Sequence, residues 1–271
     1  MSEVINISIT GKGGFVGSNL TNYLLKFKNY KINRFSFEEN LNCDVVIHLA
    51  GKAHDLNSNQ EIHEYYLVNT EYTKQVFDSF MLSEAHTFIF LSSVKACSDE
   101  ISDILTEEFQ PNPKTHYGKS KLLAEQYILS NSNIDSKRIF IFRPCIIYGS
   151  NNKGNLNLLY KFLNKFRIWP FLAFHNQRSF CSVENLSFII KEITENTKIP
   201  GGIYNVADDN HLSTNEIVEI FINARKTQVF KFYIPVFIFD SIVILLSKLG
   251  YNYFNNQMKK LFGSYKVSNS K

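Results

Sequence analysis

The chain has 271 residues, 44% apolar and 20% charged, which supports a sizeable core and excludes a chain disordered throughout. Lysine plus arginine against aspartate plus glutamate is 29 to 25, a net +4 with no polybasic block, which argues against nucleic acid as the main partner. Four cysteines, Cys43, Cys97, Cys145 and Cys181, stand far apart without Cys-x-x-Cys spacing, so neither a disulfide scaffold nor a zinc site is expected, and a reducing cytoplasm is the natural compartment.

Met1 to Asn6 carry no basic segment and no long apolar run, so no signal peptide is expected. Val4–Thr10 reads as a strand, and Val16, Leu20 and Leu24 then recur at the spacing of one helix face. Lys31–Phe35 is a weaker strand. Asp44–Ala50 is a near-continuous apolar run, as in a strand covered on both faces. A helix is expected over Glu61–Ser83, a strand over Thr87–Ser92, a helix over Tyr117–Leu129, and strands over Arg138–Arg143 and Ile203–Val206. This alternation predicts an α/β fold of Rossmann type, a doubly wound parallel sheet with ligands at the carboxyl ends of its strands. The segment Phe232 to Ser247 is shorter than the ~20 residues a membrane span needs. It holds Pro235 and Asp240 and reads as a buried or amphipathic helix, with membrane-surface or partner contact as the alternative.

The first strand runs into Thr10-Gly11-Lys12-Gly13-Gly14-Phe15-Val16-Gly17. Gly11, Gly14 and Gly17 suit a tight turn, close approach to a pyrophosphate and close helix-on-sheet packing, and a helix N-terminus adds free N–H groups. An acidic ribose clamp would ordinarily close the second strand, but no carboxylate comes before Glu38. Arg34 and Ser36 stand there instead and could face a 2′-phosphate, or Arg34 is simply a solvated strand-end cation. NAD and NADP both stay open.

Tyr117 and Lys121 have the i, i+4 spacing that puts a phenol and an ammonium on one helix face. A tyrosine ionises near pH ~10, and a cation at ~4 Å offsets most of the ~4 kcal/mol that separates it from a base at neutral pH. With 14 tyrosines and 29 basic residues in the chain, about one such spacing arises by chance. Context carries the reading: Ser93 ends a predicted strand, where its hydroxyl would lie beside the helix bearing Tyr117.

These residues resemble the NAD-dependent epimerase/dehydratase family of extended short-chain dehydrogenases/reductases. The likeness spans TGKGGFVG at 10–17, HLAG at 48–51, FLSSVKA at 90–96, YGKSK at 117–121, FRPCIIYG at 142–149, NQRSFCSVENL at 176–186 and GIYNVADDNHLSTNEI at 202–217. It implies that Ser93, Tyr117 and Lys121 are catalytic, with Tyr117 as acid/base and Lys121 also holding the nicotinamide ribose. Gly11, Gly14, Phe15, Val16 and Gly17 would wrap the pyrophosphate of NAD or NADP. Arg34, Leu49, Ala50, Gly51 and Pro144 would border the rest of the cofactor. Ser93, Lys95, Arg143, Asn155 and Arg178 would meet a nucleotide-sugar substrate, Arg178 at its phosphates. No metal is implied.

Within the family, the SSVK wording, KGN at 153–155 and HNQRS at 175–179 are similar to bacterial polysaccharide UDP-sugar 4-epimerases and 4-keto reductases. Ser93-Val94-Lys95 lacks the acid pair that dehydratases use to eliminate water. The resemblance implies residues 1–149 as the cofactor domain, with its sheet completed by 180–206. Residues 150–271 would form mainly a substrate lobe, expected to lack the family's last C-terminal elements, and a homodimer fits the family. The short interval from Phe35 to Asp44 implies a trimmed adenine pocket.

The remaining polar residues read blandly. His48 is expected to be a satisfied core histidine and His116 structural. Lys52 and His54 lie at the ligand edge. Cys145 and Cys181 read as packing residues. Phe171 and Phe174 either line a uracil pocket or belong to the core. Against the enzyme stands a second reading, a catalytically weak NAD(P)-binding module that acts as a sensor or glycosyltransferase partner.

Overall fold

A computed structural model describes residues 4–37, 42–53, 59–132, 136–152, 154–226, 228–239, 241 and 261–271. The amino-terminal half runs β1 (Ile5–Thr10), α1 (Phe15–Leu24), β2 (Tyr30–Arg34), β3 (Val45–His48) and α2 (Asn59–Tyr65). A π-helical turn (Tyr66–Glu71) leads directly into α3 (Tyr72–Met81). Next come β4 (Thr87–Leu91), a 3-10 turn (Val94–Ala96), β5 (Ile104–Leu105), α4 (His116–Ser130), β6 (Arg138–Pro144) and β7 (Ile146–Tyr148). The remainder is α5 (Asn155–Phe166), β8 (Ile168–Trp169), β9 (Arg178–Ser182), α6 (Val183–Glu195), β10 (Gly202–Val206), β11 (His211–Leu212), α7 (Thr214–Arg225), β12 (Phe230–Lys231) and β13 (Lys266–Val267).

The central sheet has six parallel strands in the order β10-β6-β4-β3-β1-β2. Every residue of β3 and β4 is buried, which explains their unbroken apolar runs. One core layer joins Ile7, Ile9, Leu20 and Leu24 to Leu186, Ile190 and Ile193. The opposite layer packs Val76, Phe77 and Phe80 against Phe88, Phe90, Ala124 and Ile128. The chain passes from β1 outward to β2, then returns to place β3 on the other side of β1. This reversal is the switch point where open α/β sheets leave a crevice at the strands' carboxyl ends.

The expected strands and helices are present with shifted ends. β3 stops at His48 because the Leu49 and Ala50 amides turn to the Thr10 hydroxyl instead of continuing the ladder. The single helix expected over 61–83 is split by the π turn. β9 leaves the central sheet and forms a second sheet with β7 and β11. A third apolar cluster gathers Leu159, Leu163, Trp169, Phe180, Ile217 and Val218 under α5 and α7. Much of the 232–247 stretch lies outside the described residues. Among those described, no helix is long and apolar enough to cross a membrane.

Candidate active site

The glycine turn lies at the switch point and is shaped by contacts that only glycine permits. Gly11 has φ +68°, and a Cβ there would lie 2.7 Å from Ala50 N. A Cβ on Gly17 would lie 2.3 Å from Gly11 O, whereas Gly13 faces open space. Gly14 caps α1 without a side-chain hydrogen bond, and no acid occupies the first helical turn. The first amides of α1 and its positive dipole end are therefore presented to the crevice, which suits a pyrophosphate. Phe15 and Val16 open this helix half-buried, Val16 against the core and the Phe15 ring beside Gly149. Pro144 ends β6, buried, at the same rim. Arg34 ends β2, exposed. Glu38 lies outside the described residues.

The edge of β3 is fixed by a directional chain of hydrogen bonds. Thr10 Oγ1 accepts from the amides of Leu49 and Ala50, each at 3.1 Å. Its own proton must then go to His48 Nδ1, 2.7 Å away. His48 therefore carries its proton on Nε2 and donates to Thr73 Oγ1 at 2.8 Å, and Thr73 donates to Asn69 O at 2.8 Å. Burial, reinforced by the charge of Lys121, lowers the His48 pKa to about 3, so the ring stays neutral. The core-histidine expectation holds.

Ser93 leaves β4 as the N-cap of the 3-10 turn, its Oγ accepting from Lys95 N at 3.2 Å. Asp99 staples the following loop to the start of α4. Its carboxylate accepts from Lys114 N at 2.6 Å, Thr115 N at 2.9 Å and Thr115 Oγ1 at 2.8 Å. Thr115 in turn caps α4 through Gly118 N. Gly118 lets the helix rest directly on the serine turn: a Cβ there would lie 2.3 Å from Lys95 O. This close approach brings the half-buried Ser93 and Tyr117 together. Burial raises the Tyr117 phenol above its ordinary range, the Ser93 hydroxyl beside it lowers it, and Tyr65, with ring centroids 6.0 Å apart, raises it.

One turn on, Lys121 is 4% exposed and donates to Leu91 O at 2.9 Å, with its ammonium 4.8 Å from the Phe90 ring centroid. Burial lowers its pKa to about 8, against the opposing pull of Glu125. Gly51 borders this amine, since a Cβ there would lie 3.0 Å from Lys121 Nζ and 3.2 Å from Asn69 Oδ1. A hydroxyl, a phenol and an amine near neutrality thus share the rim of the sheet with the glycine turn. Such a set can hold and move one proton while a bound group is oxidised or reduced beside it.

A cavity of about 90 Å³ is lined by Ser93, Lys95, Cys145, Arg178, Ser179 and Tyr265, among others. Lys95 Nζ donates to Asp99 O at 2.6 Å and sits 4.4 Å from the Tyr265 ring centroid. Arg178 is half-buried at the start of β9, and burial lowers its pKa. Asn155 begins α5, and its side chain lies outside the described residues, as does His54.

Arg143 corrects the expectation placed on it. It is 2% exposed and bonded to Glu125 through Nε and Nη2 and to Cys97 Sγ through Nη1 at 2.8 Å. Its Nε, Nη1 and Nη2 groups are thus engaged inside the protein instead of facing the crevice. Lys52 pairs with Glu64, and His116 Nδ1 bonds the Tyr66 hydroxyl at 2.9 Å. Phe171 and Phe174 pack with Phe239 and Phe262, the core alternative.

Asn69 was missed by the sequence reading. The π turn points it inward, where Oδ1 accepts from Lys52 N at 2.8 Å and Nδ2 donates to Lys52 O and Ser120 Oγ, each at 3.0 Å. It thereby ties the loop after β3 to the helix of Tyr117. The available signal was two polar residues, Asn69 and Thr73, on the stripe continued by Val76, Phe77 and Phe80. Tyr265 was also missed. Its hydroxyl reaches Val94 O at 3.1 Å and Ser98 O at 2.7 Å, closing the cavity from the carboxyl-terminal segment.

Known proteins resemble this chain in sequence and fold. UDP-glucose 4-epimerase of Vibrio cholerae is 28% identical over 271 aligned positions, covering 90% of this chain and 83% of that protein. UDP-glucuronic acid 4-epimerase from Bacillus cereus, solved in complex with NAD, superimposes with a TM-score of 0.72 at 20% identity, over 85% of this chain and 86% of that one. RMD from Pseudomonas aeruginosa, complexed with NADPH, gives a TM-score of 0.73 at 17% identity over 98% and 90%. The profile of the NAD dependent epimerase/dehydratase family matches residues 29–207, more than half of the chain, and the chain belongs to that family.

Proposed function

We propose that the chain is an NAD(P)-dependent enzyme acting at C4 of a UDP-hexose or UDP-hexosamine, as a 4-epimerase or a 4-keto reductase, in surface-polysaccharide synthesis. The observation that carries this reading is the meeting of Ser93 and Tyr117, across the Gly118 contact, beside an uncapped glycine turn. The likeness to UDP-glucose 4-epimerase supports the substrate class.

The glycine turn and the first amides of α1 hold the dinucleotide's pyrophosphate, with Leu49, Ala50, Gly51 and Pro144 as walls. The dinucleotide supplies hydride acceptance and donation at C4. Ser93 hydrogen-bonds the O4 atom of the sugar. Tyr117 takes the O4 proton on oxidation and returns it on reduction. Burial holds its phenol above its ordinary range, and the cation of Lys121 and the positive charge of an oxidised nicotinamide would favour the phenolate. Arg178 and Lys95 receive the anionic and polar parts of the nucleotide sugar, Arg178 being suited to phosphate by its planar donors. Residues 1–149, completed by the return strand, serve the cofactor, and 150–271 mainly the substrate. Four buried free cysteines accord with a reducing cytoplasm. A homodimer completes the proposal.

Tyr117→Phe tests it. Turnover of UDP-hexoses and UDP-N-acetylhexosamines should fall by roughly 10²–10⁴-fold, the usual worth of general acid–base catalysis, with dinucleotide affinity unchanged. Equal, near-zero turnover in parent and variant, with normal dinucleotide binding, would leave a binding module instead of an enzyme.

A further inference from the structure

We propose that the face formed by the end of α5, β8, β12 and the turn after it docks on the surface of an anionic phospholipid bilayer, through exposed apolar side chains ringed by lysine and arginine. Such docking is independent of the cofactor and sugar chemistry above.

Backbone pairing makes the face continuous. β12 runs beside β8 with Phe230 opposite Ile168. Phe230 N donates to Arg167 O at 2.9 Å, Phe232 N to Trp169 O at 3.0 Å and Ile234 N to Pro170 O at 3.3 Å. A helical turn follows, in which Ile238 N and Phe239 N both donate to Pro235 O. Phe239 anchors this turn from below, 7% exposed, with its ring centroid 5.5 Å from that of Phe171 and 4.9 Å from that of Phe174. The residues just before it face out. Phe230 and Phe237 are each 70% exposed and Tyr233 is 63% exposed, and Phe166, Ile168 and Ile238 stand exposed with them. Single exposed apolar residues are ordinary, whereas a connected set of this kind marks a contact surface.

Charge identifies the occupant. Residues 155–168 and 223–241 carry Lys161, Lys165, Arg167, Arg225, Lys226 and Lys231 against one acid, Asp240, a net +5 where the whole chain has +4. The rest of the chain is therefore close to neutral, and the positive charge is concentrated here. All six cations are exposed. Glu219 reaches them from α7 and pairs with Lys231 at 2.6 Å. Among the described residues, Lys161, Lys165 and Arg167 form no ion pair. The Lys165 ammonium lies 5.2 Å from the Phe166 ring centroid, a cation at the edge of the apolar set. Aromatic and aliphatic side chains among cations match the acyl boundary and the anionic headgroups of a bilayer together. A second copy seated on the same face across a two-fold axis would instead bring this positive rim against itself.

The test is cosedimentation of the full chain with lipid vesicles. Phosphatidylcholine vesicles containing phosphatidylglycerol should capture the protein, and phosphatidylcholine alone should hold it at least about tenfold more weakly. Added salt should weaken the capture. Phe230→Ser combined with Phe237→Ser, and separately Lys161→Gln combined with Lys165→Gln, should each lower affinity for the anionic vesicles by about tenfold or more. Thermal midpoints of both variants check that the fold is kept, and the dependence on lipid charge and on salt gives the same answer on the parent chain without any variant. No binding to the anionic vesicles, equal binding to neutral ones, or unchanged binding by both folded variants would overturn the proposal. Absence of vesicle binding together with an oligomer lost in the Phe230→Ser, Phe237→Ser variant would overturn it in favour of a second copy of this chain.

Discussion

Glu125 and Arg143 form a buried ion pair beside the Ser92–Ser93 end of β4, Nη2 to Oε2 at 2.5 Å and Nε to the two carboxylate oxygens at 3.1 and 3.2 Å. The carboxylate also accepts from Ser92 Oγ, next to Ser93, and lies one turn beyond Lys121 on α4. Three elements are joined at this point: the end of β4, the middle of α4 and the end of β6. Removing one partner of such a pair leaves an uncompensated buried charge, which costs about 3–5 kcal/mol. Glu125→Gln should therefore lower the urea midpoint strongly and, by removing the carboxylate that supports the protonated amine, push Lys121 below its pKa of about 8. Urea titration checks the first effect. The pH dependence of dinucleotide binding checks the second, which a purely structural role would not move.

A single missing methyl group controls how closely α4 approaches the serine turn. Gly118→Ala would place a Cβ 2.3 Å from Lys95 O and 2.8 Å from Pro113 Cβ, neither of which is the flexible end of a side chain. Overpacking of this kind costs about 1–3 kcal/mol, and relief by moving the helix would part Tyr117 from Ser93. The variant should lose most of its turnover and some stability. Gly13→Ala, where nothing lies within 4 Å, should keep full stability. Thermal midpoints and turnover of the two variants decide; a Gly118→Ala protein as active as the parent would refute the contact's role.

How much of this was legible in the sequence depends on whether the information was local. The glycine turn was readable because each glycine answers to backbone it meets within a few residues or at the next strand edge. Ser93, Tyr117 and Lys121 were readable because strand end and helix face are local patterns. Arg143 was set beside the substrate by the resemblance of its segment to the family, whereas its partner Glu125 sits on another element and leaves no local mark in the sequence. Asn69 was invisible because a π turn inside a helix leaves the apolar period nearly intact while turning one residue inward. Tyr265 reaches the site through pairings with segments far from it in the chain, a bridge to Arg178 and the pairing of β13 with β5. What the sequence hides here is long-range pairing of polar groups.

Neutral His48 should make the fold acid-sensitive. Its folded pKa of about 3 lies below the ordinary 6.5, so between these values the unfolded chain binds more protons than the native one. Stability from this group is complete above pH 6.5 and falls by about 1.4 kcal/mol for each pH unit below it, toward pH 3. Protonation would also put a donor against the Thr10 hydroxyl and break the chain that holds the Leu49 and Ala50 amides. His48→Gln should be less stable than the parent at pH 7, and the gap should narrow toward pH 4. Urea midpoints over that range test it, and a gap constant with pH would show that the ring does not titrate as a buried neutral base.

Lys121 is kept at a cost to the fold. Its pKa of about 8 against 10.5 means that below pH 8 the native state carries a cation that burial disfavours, and the penalty disappears as pH rises to 10.5. The shift corresponds to about 3 kcal/mol, an upper figure for a side chain that also satisfies Leu91 O. Methionine has similar length, no charge and enough flexibility to fill the same space. Lys121→Met should leave Leu91 O without its partner, at about 1–2 kcal/mol, yet still stabilise the protein by roughly 1–2 kcal/mol at pH 7. That advantage should shrink toward pH 10.5, and turnover should be lost at every pH. Chemical denaturation at pH 7 and above pH 10 measures the first two effects, and UDP-sugar turnover the third. A variant no more stable at pH 7 than at high pH, relative to the parent, would mean that the amine is solvated in the native protein and not poised near neutrality for the phenol beside it.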